Sequence, residues 1–321
     1  MTEKKQPVPV ITLIVSCSIF PEQLSAFMRR IEESADLEQV ELILVARRGH
    51  DYRSVARAAF QAVDAVFIDA GATLNAARAQ AVRRAHADII LFAEDHGHLH
   101  GPWVQHLPSL YRDPAVSAVA WTIRPGNLKT IASWTGFLVE YGWWGPGVPD
   151  GTKLSHLPGH NCSYHRSRLM DLDADLEDLL LAEGILHWHL MDQGDTLSFT
   201  TGIHSIHYEP CTLRELWLAD FWYGWSFAVA RQSFNRWGFG RRLLYAAAIW
   251  LKPAVRWREI LRTPRDAAFF PKAIVWRCAL PITITFLIAS CGECLGHLFG
   301  RWKAPKELEK YELASDRQVK A

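Results

Sequence analysis

Three consecutive side chains that can bind a metal ion, Glu94, Asp95 and His96, follow a run of apolar residues from Ile89 to Ala93. A short apolar run of this kind predicts a buried strand, and in an open α/β sheet ligands bind beyond the carboxyl ends of the strands. Carboxylate oxygen and imidazole nitrogen together suit Mg²⁺ or Mn²⁺. The sequence therefore predicts a divalent-metal site at this strand end, although a solvated acidic turn would have the same residues.

The chain around this cluster alternates between short β-rich runs and segments with apolar residues at helical spacing. Strands are predicted at 8–16, 40–45, 65–68, 89–93 and 116–123, and helices near 21–31, 54–63, 74–86 and 102–111. Strands that alternate with helices predict a mostly parallel sheet with helices on both faces. The predicted fold is therefore α/β and Rossmann-like, with the acidic cluster at the edge of the sheet that binds ligands.

Residues 124–160 are rich in Gly, Pro and Trp and show no clear periodicity, which predicts a long loop that binds substrate. The loop includes Tyr141-Gly-Trp-Trp-Gly-Pro-Gly-Val-Pro149. Tandem aromatic rings of this kind either stack on sugar rings or fill a core, and the sequence leaves both alternatives open.

The composition excludes a disordered chain, because 49% of the 321 residues are hydrophobic and 21% are charged. The net charge of +1 conceals a basic block from Arg241 to Arg277, which has nine Lys and Arg residues against two acids. The block lies beside two apolar stretches, 243–251 and 278–292. Basic residues beside apolar segments attract anionic lipids, so we expect contact with a membrane surface rather than with nucleic acid.

The second apolar stretch is too short to predict a membrane span on its own. It has about fifteen uncharged residues and contains Pro281, whereas a span needs about 20 residues. An interfacial or re-entrant helix, a short tilted span and a buried core helix all remain open.

Four motifs stand in order within residues 77–210. They are the helix-to-strand run from Ala77 to His96, Leu157-Pro-Gly-His-Asn161-Cys-Ser-Tyr-His-Arg166, Leu181-Ala-Glu183-Gly-Ile-Leu-His187-Trp-His-Leu190, and His207-Tyr-Glu-Pro210. Together they resemble the motifs of the family 2 glycosyltransferases. The resemblance implies a GT-A fold and the transfer of a sugar, with inversion, from a nucleotide-sugar donor with the help of Mn²⁺ or Mg²⁺.

The resemblance also implies roles for particular residues. It implies Asp95, His96 and His207 as metal ligands, and Arg78, Glu94 and Asp95 as contacts of the donor. Glu183 is implied as the catalytic base, with Asp178 as a second choice. Gly159 and Asn161 are implied to contact the acceptor. Arg78 could instead brace its helix, and His187 is expected to have a structural role.

Two segments depart from the pattern of the family. Val45-Ala-Arg-Arg-Gly-His50 stands where the family commonly has an Asp-rich turn that holds the nucleotide base, so the sequence does not predict a UDP donor. The Asp-x-Asp element reads Glu94-Asp95-His96, which leaves open which atoms hold the metal.

The domain organisation follows from these features. We expect a glycosyltransferase domain over 1–237, a basic and apolar helical region over 238–303 that associates with a membrane, and a charged, disordered tail over 304–321. The expected acceptor is a lipid-linked glycan at the cytoplasmic face of the cell membrane, in the synthesis of a cell-surface polysaccharide.

Two other classes of protein compete with this hypothesis. The motif that holds the nucleotide base and the motif that holds the metal are both altered. The chain could therefore be a non-catalytic partner in a membrane complex that assembles polysaccharide. A zinc hydrolase built from the histidines, including His98 and His100, lacks a His-Glu-x-x-His spacing.

Overall fold

The structure is a computed structural model that describes residues 9–19, 21–34, 37–47, 62–68, 72–267 and 269–314. These ranges contain the eight strands of one sheet. The strands are β1 (Ile11–Ser16), β2 (Val40–Arg47), β3 (Ala62–Ile68), β4 (Ile89–Glu94), β5 (Gly97–His100), β6 (Val116–Pro125), β7 (Cys162–His165) and β8 (Thr196–His207).

The sheet has the strand order β3-β2-β1-β4-β7-β6-β8-β5. Strands β3, β2, β1 and β4 pair in parallel, and β6 pairs in parallel with β8. Strands β7 and β5 run antiparallel to their neighbours. The predicted α/β fold is confirmed, and the sheet is parallel in its first half and mixed in its second.

Helices cover both faces of the sheet. In the described ranges they are α1 (Pro21–Ser34), α2 (Leu74–Arg84), α3 (Trp103–Leu110), α4 (Ile131–Glu140), α5 (Arg166–Met170), α6 (Leu176–Leu181) and α7 (Glu183–Asp192). After the sheet follow α8 (Leu213–Phe234), α9 (Phe239–Ala248), α10 (Lys252–Arg262), α11 (Lys272–Arg277), α12 (Ala279–Phe299) and α13 (Ala304–Ala314).

The apolar alternation of the strands explains the two cores. Every residue of β1 and of β4 is buried, because both strands lie inside the sheet with helices on either side. The apolar stripe of α1 packs on one face together with α3, and the apolar residues of α2, α4, α6 and α7 pack on the other. The core therefore has two layers that meet at the sheet.

The segment 124–160 differs from the long loop that the sequence predicts, because it contains α4. Thr130 caps this helix: its Oγ1 accepts from the backbone N of Ser133, and Ser133 Oγ accepts from the backbone N of Thr130. Most residues of α4 are buried on all sides, so the segment has no polar face and therefore no helical periodicity in the sequence.

Two other predicted segments lie at the limits of the structure. The helix predicted at 54–63 falls outside the described residues, except for its last two residues, which begin β3. The tail predicted as disordered forms α13 up to Ala314, and Leu308 and Leu313 on that helix are buried. The apolar contacts of α13 with the rest of the chain, rather than its own composition, stabilise it as a helix.

Helices α8 and α12 contact each other at backbone distance. A Cβ atom added to Gly224 would overlap the carbonyl oxygen of Ala289, and one added to Gly292 would overlap the carbonyl of Phe221. Gly296, one turn after Gly292, is equally close to α8. Small residues at this spacing allow two helices to approach closely.

Helix α12 has the length and apolar character to cross a membrane, but 44% of its most apolar window is buried inside the protein. The core helix of a soluble protein meets the same criterion, so the three alternatives for this segment stay open.

Candidate functional site

Glu94, His96 and His207, from two separate strand ends, form a compact cluster that we call the metal-type cluster. Glu94 ends β4, His96 follows it in the turn to β5, and His207 ends β8, where it pairs with Gly97 of β5. Glu94 Oε2 lies 3.2 Å from His96 Nε2 and 3.3 Å from His207 Nε2. All three residues are buried, and one ligand atom from each lies within 4.8 Å of the others.

The electrostatics of the cluster favour an ionised carboxylate. Burial alone would raise the pKa of Glu94, but the imidazoles of His160, His96 and His207 outweigh burial and hold this pKa well below its usual range. Glu94 therefore carries a negative charge in a buried site at neutral pH. A buried anion of this kind is stabilised by a nearby cation.

The donor atoms of the cluster fit a divalent cation. His207 donates from Nδ1 to Glu209 Oε1 (2.8 Å), which directs Nε2 at Glu94, and a carboxylate behind a histidine is the usual support of a metal-bound imidazole. Burial disfavours the charged imidazole, but Glu209 and Glu94 together raise the pKa of His207. His96 Nε2 is buried without a hydrogen bond in the described structure. Two imidazoles and a carboxylate suit a divalent transition-metal ion, and this ligand set does not select one metal.

Asp95 lies outside this cluster. Its Oδ2 accepts from the backbone N of Ser18 at 2.7 Å and from Ser18 Oγ at 2.8 Å, so the side chain holds the end of β1. Asp95 Oδ1 lies 3.7 Å from His96 Nδ1 and has no hydrogen bond among the described residues, so a role of Asp95 as a metal ligand stays a prediction. Of the predicted set Asp95, His96 and His207, the structure brings together the two histidines and adds Glu94.

Glu183 begins α7 and forms a buried ion pair with Arg78 of α2. Arg78 Nη1 donates to Glu183 Oε1 at 3.1 Å and also to Asn75 Oδ1, and Nη2 donates to the carbonyl of Gly159 at 3.0 Å. The guanidinium also lies over the ring of Phe92, 4.5 Å from its centroid. The structure thus shows Arg78 bracing Glu183, and its contact with the donor stays a prediction.

Position 159 requires glycine because the Glu183 carboxylate occupies the space of a side chain there. A Cβ atom at position 159 would overlap the carboxylate carbon of Glu183, closer than any real side-chain contact. Only glycine leaves the carboxylate in its observed place.

We therefore expect Gly159→Ala to displace the Glu183 carboxylate and to lower transfer about a hundredfold or more, since a misplacement of about 1 Å costs this much. Steady-state kinetics of the purified variant would measure the loss. Gly240→Ala is a matched glycine control, because nothing lies within 4 Å of the added atom and its backbone is not left-handed. Equal transfer by Gly159→Ala and the wild type would contradict this role.

Asn161 lies at the start of β7 with a left-handed backbone (φ 66°), and its backbone N donates to the carbonyl of Phe92. Its side-chain Nδ2 is buried without a partner among the described residues. Asn161 thus ties β7 to β4 and keeps one amide group unsatisfied, and its contact with an acceptor stays a prediction.

One cavity of about 210 Å³ is lined by Glu94 and His207 of the metal-type cluster and also by Glu183. Its acidic and imidazole lining comes from β4, β8, α4, α7, α8 and α13 and from the segment before β7. Aromatic rings from the segment after α4 and from α8 close its sides. Among the lining residues are Glu94, His207, Glu183, Asp220, Glu312, Trp143, Trp144, Tyr223 and Arg256. A concave site with aromatic walls and a few charged groups suits a polar ligand with ring faces, such as a sugar.

Several lining residues were missed from the sequence. Asp220 lies within α8, its Oδ2 has no hydrogen-bond partner among the described residues, and burial raises its pKa to about 7. Burial also raises the pKa of Glu312 to about 8, and the charge of Glu94 adds to the effect. Neither residue stands in a local pattern, so only the fold brings them to the cavity. Asp178, the second choice as base, pairs instead with Arg301 at 2.9 Å.

The remaining predicted histidines have other surroundings. His187 is fully buried, accepts from the backbone N of Leu157 and bonds the hydroxyl of Tyr164, which is the structural role expected of it. His98 packs edge-on against Tyr208, and His100 stacks on His204. In the described residues neither His98 nor His100 belongs to the metal-type cluster.

Comparison with solved structures shows that the fold of the chain is similar to that of glycosyltransferases. No protein-family profile and no curated protein sequence matches it. Among solved structures it is similar to the mannosyltransferase PcManGT from Pyrobaculum calidifontis, solved in complex with GDP-Man and Mn²⁺, with a TM-score of 0.53 and 15% identity over 91% of this chain and 90% of that chain. It is also similar to residues 1–349 of S. aureus TarS, with a TM-score of 0.46 and 10% identity over 91% and 93% of the two chains. The chain therefore has the α/β fold of a glycosyltransferase.

Proposed function

We propose that the protein is a glycosyltransferase that moves a sugar from a nucleotide-sugar donor to a glycan acceptor. The observation that carries the proposal is the single cavity in which Glu94 and His207 face the same space as the buried carboxylate of Glu183. The complex of the similar mannosyltransferase with GDP-Man and Mn²⁺ supports this choice of donor class and metal.

The proposed chemistry divides the cavity into two functions. Glu94, His96 and His207 would hold a divalent cation, which when bound neutralises negative charge on the departing diphosphate. Glu183 takes the proton of the acceptor hydroxyl as that oxygen attacks the sugar. Among the described residues Arg78 donates to Oε1 of Glu183. This contact fixes the carboxylate and leaves Oε2 to receive the proton.

Thermal unfolding across a panel of nucleotide-sugars, with and without Mn²⁺, tests the proposal. A ligand at 100 times its dissociation constant adds about 2.7 kcal/mol of stability, so one donor should stand out and should depend on Mn²⁺. Absence of stabilisation by every donor would contradict the proposal and favour a non-catalytic partner in polysaccharide assembly. Hydrolysis of the bound donor separates the two functions.

We also propose that the acceptor is a lipid-linked glycan at the cytoplasmic face of the membrane. Large apolar side chains on α9 to α12 are exposed beside the basic residues of the same helices. The most exposed are Phe239, Leu244, Leu251, Trp276, Leu280 and Phe299. Exposed apolar groups flanked by Lys and Arg are typical of helices that lie on anionic lipid.

We expect the protein to sediment with vesicles that contain phosphatidylserine and to bind neutral vesicles less. Leu244→Glu combined with Leu251→Glu should release most of the bound protein, because both side chains would carry charge into the lipid interface. Gln105→Glu combined with Ser109→Glu is the matched control, because it adds the same two charges at exposed positions of α3 on the opposite face of the sheet. Unchanged sedimentation of the double variant would contradict membrane contact through these helices.

Two finer parts of the proposal come from the family resemblance. These are inversion at the anomeric carbon and a place in the synthesis of a cell-surface polysaccharide. The anomeric configuration of the product, measured by NMR, tests the first part. Isolation of the acceptor from membranes of the source cell tests the second.

A further inference from the structure

Helix α13 lies over the carboxyl ends of β1 and β2, next to the proposed donor site. Glu309, which is 3% exposed, accepts at Oε1 from Arg47 Nε (3.1 Å) and Nη2 (2.7 Å) and at Oε2 from the backbone N of Leu74 (3.2 Å). The carbonyl of Leu313 accepts from the backbone N of Ile19, just after β1. The last helix of the described chain is therefore tied to two strand ends and to the first residue of α2.

The partners of Glu309 are groups that bind phosphate in proteins. An arginine that offers two N–H groups matches the oxygens of a phosphate or carboxylate, and the first N–H groups of a helix attract anions. Thr73 already caps α2 through Ala76 N, so the N–H of Leu74 is left to Glu309. Glu309 is thus an anion in a site built from a guanidinium and a helix N-terminus.

The site lies within reach of the metal-type cluster. Val45, Ser16 and Glu94 stand side by side on β2, β1 and β4, and Arg47 follows Val45 by two residues. Two strand spacings and two residues along β2 separate the Cα atoms of Arg47 and Glu94 by about 12 Å, a gap that their side chains and one nucleoside diphosphate can bridge. Leu308 and Glu312 of α13 line the same cavity as Glu94 and His207. The helix therefore contacts both the site around Glu309 and the cavity.

The face of α13 that points into the cavity has unfavourable electrostatic surroundings. Glu312 enters a space that already holds the carboxylates of Glu94 and Glu183. Burial and these charges raise the pKa of Glu312 to about 8, which means that its ionised form is disfavoured there. Buried Leu308 and Leu313 and the contacts of Glu309 with Arg47 and Leu74 therefore hold α13 against the repulsion that an ionised Glu312 would add.

We propose that Arg47 and the N-terminal amide of α2 bind the phosphates of the nucleoside diphosphate, and that Glu309 occupies this site until the donor displaces α13. The inference rests on the proposed function, because it assigns a subsite to the donor. It adds a ligand class, two binding groups and an internal competitor. The carboxylate of Glu309 imitates the phosphate that replaces it.

Titration calorimetry of the full-length protein with GDP and with UDP, in the presence of Mn²⁺, tests the proposal. Glu309→Gln removes the competing charge and should tighten binding about tenfold, as expected if α13 is seated about nine-tenths of the time. Glu307→Gln on the same helix pairs only with Lys310 among the described residues and should leave the affinity unchanged. Arg47→Gln added to Glu309→Gln should reverse the gain.

A further measurement keeps the outcome clear. Hydrogen exchange of α13 in the full-length protein should accelerate when the nucleotide binds, because the helix leaves its position. Weaker nucleotide binding by folded Glu309→Gln than by the wild type would make Glu309 part of the site and overturn the proposal.

The remaining outcomes separate this inference from the proposed function. If GDP or UDP binds the wild type and all variants equally and exchange of α13 is unchanged, the inference fails and the proposed function stands. If neither nucleotide binds any of these proteins, both fail.

Discussion

Replacing Glu183 with glutamine is expected to lower transfer about a thousandfold while donor binding changes less than twofold. The amide keeps the volume and the hydrogen bond from Arg78 but cannot take a proton, and a general base contributes about 10² to 10⁴ in rate. Loss in kcat with little change in KM for the donor would mark a group that acts in the transition state. Single-turnover kinetics and donor titration measure the two effects.

The ion pair makes a stability control necessary for this variant. Arg78 and Glu183 have side-chain exposures of 1% and 9%, and breaking a buried pair typically costs 3–5 kcal/mol. Glutamine still accepts from Arg78, and Arg78 keeps its bonds to Asn75 and Gly159, so we expect a cost of about 2 kcal/mol and a folded protein.

Asp178→Asn is the matched control, because it makes the same acid-to-amide change one turn earlier, where Asp178 pairs with Arg301. It should retain near wild-type transfer. Wild-type transfer by folded Glu183→Gln would exclude Glu183 as the base. Asp220, which lines the same cavity, would then be the next candidate to substitute.

Replacing His207 with alanine is expected to weaken Mn²⁺ binding at least a hundredfold and to abolish transfer. The variant removes one of the three proposed ligands and leaves the charge of Glu94 buried with one imidazole fewer beside it. Glu209→Gln, which loosens the support of His207, should weaken binding about ten- to a hundredfold. Titration of Mn²⁺ followed by electron paramagnetic resonance measures affinity without any assay of activity.

His204→Ala is the control for this series. His204 lies on the same strand, three residues before His207, and stacks on His100 away from the cluster. It should bind Mn²⁺ as the wild type does. Equal Mn²⁺ affinity in His207→Ala and the wild type would show that the cluster is not the metal site.

Local patterns predicted the first half of the sheet and the strand that ends at Glu94. Buried parallel strands have continuous apolar runs, and α1 has an amphipathic stripe, so the sequence carries both signals on its own. Helix α4 was missed because burial on all sides removes the polar face that reveals a helix. A sequence reveals a helix when one face of the helix is polar and the other is apolar, and α4 lacks a polar face.

The composition of the candidate site was only partly predictable. His96 and His207 come from motifs, but the place of Glu94 in the cluster depends on the turn after β4, in which Asp95 bonds to Ser18 instead. Glu209 supports His207 from two residues away, and Asp220 and Glu312 reach the cavity from helices far along the chain. Contacts between distant segments leave no periodic pattern, so only the folded chain brings these groups together.

The glycine contacts of α8 and α12 have a mechanical consequence. Helix α8 has Asp220 and Tyr223 on the cavity side and Gly224 against α12. The same helix therefore forms a wall of the cavity and the surface on which α12 packs. Backbones in direct contact cannot slide past each other without steric overlap. The tilt and depth of the C-terminal helices on a lipid surface would therefore set the height and direction at which the cavity opens. On the proposed lipid surface the cavity would stand at a fixed distance from the membrane, and that distance would set the length of the acceptor that the protein could extend.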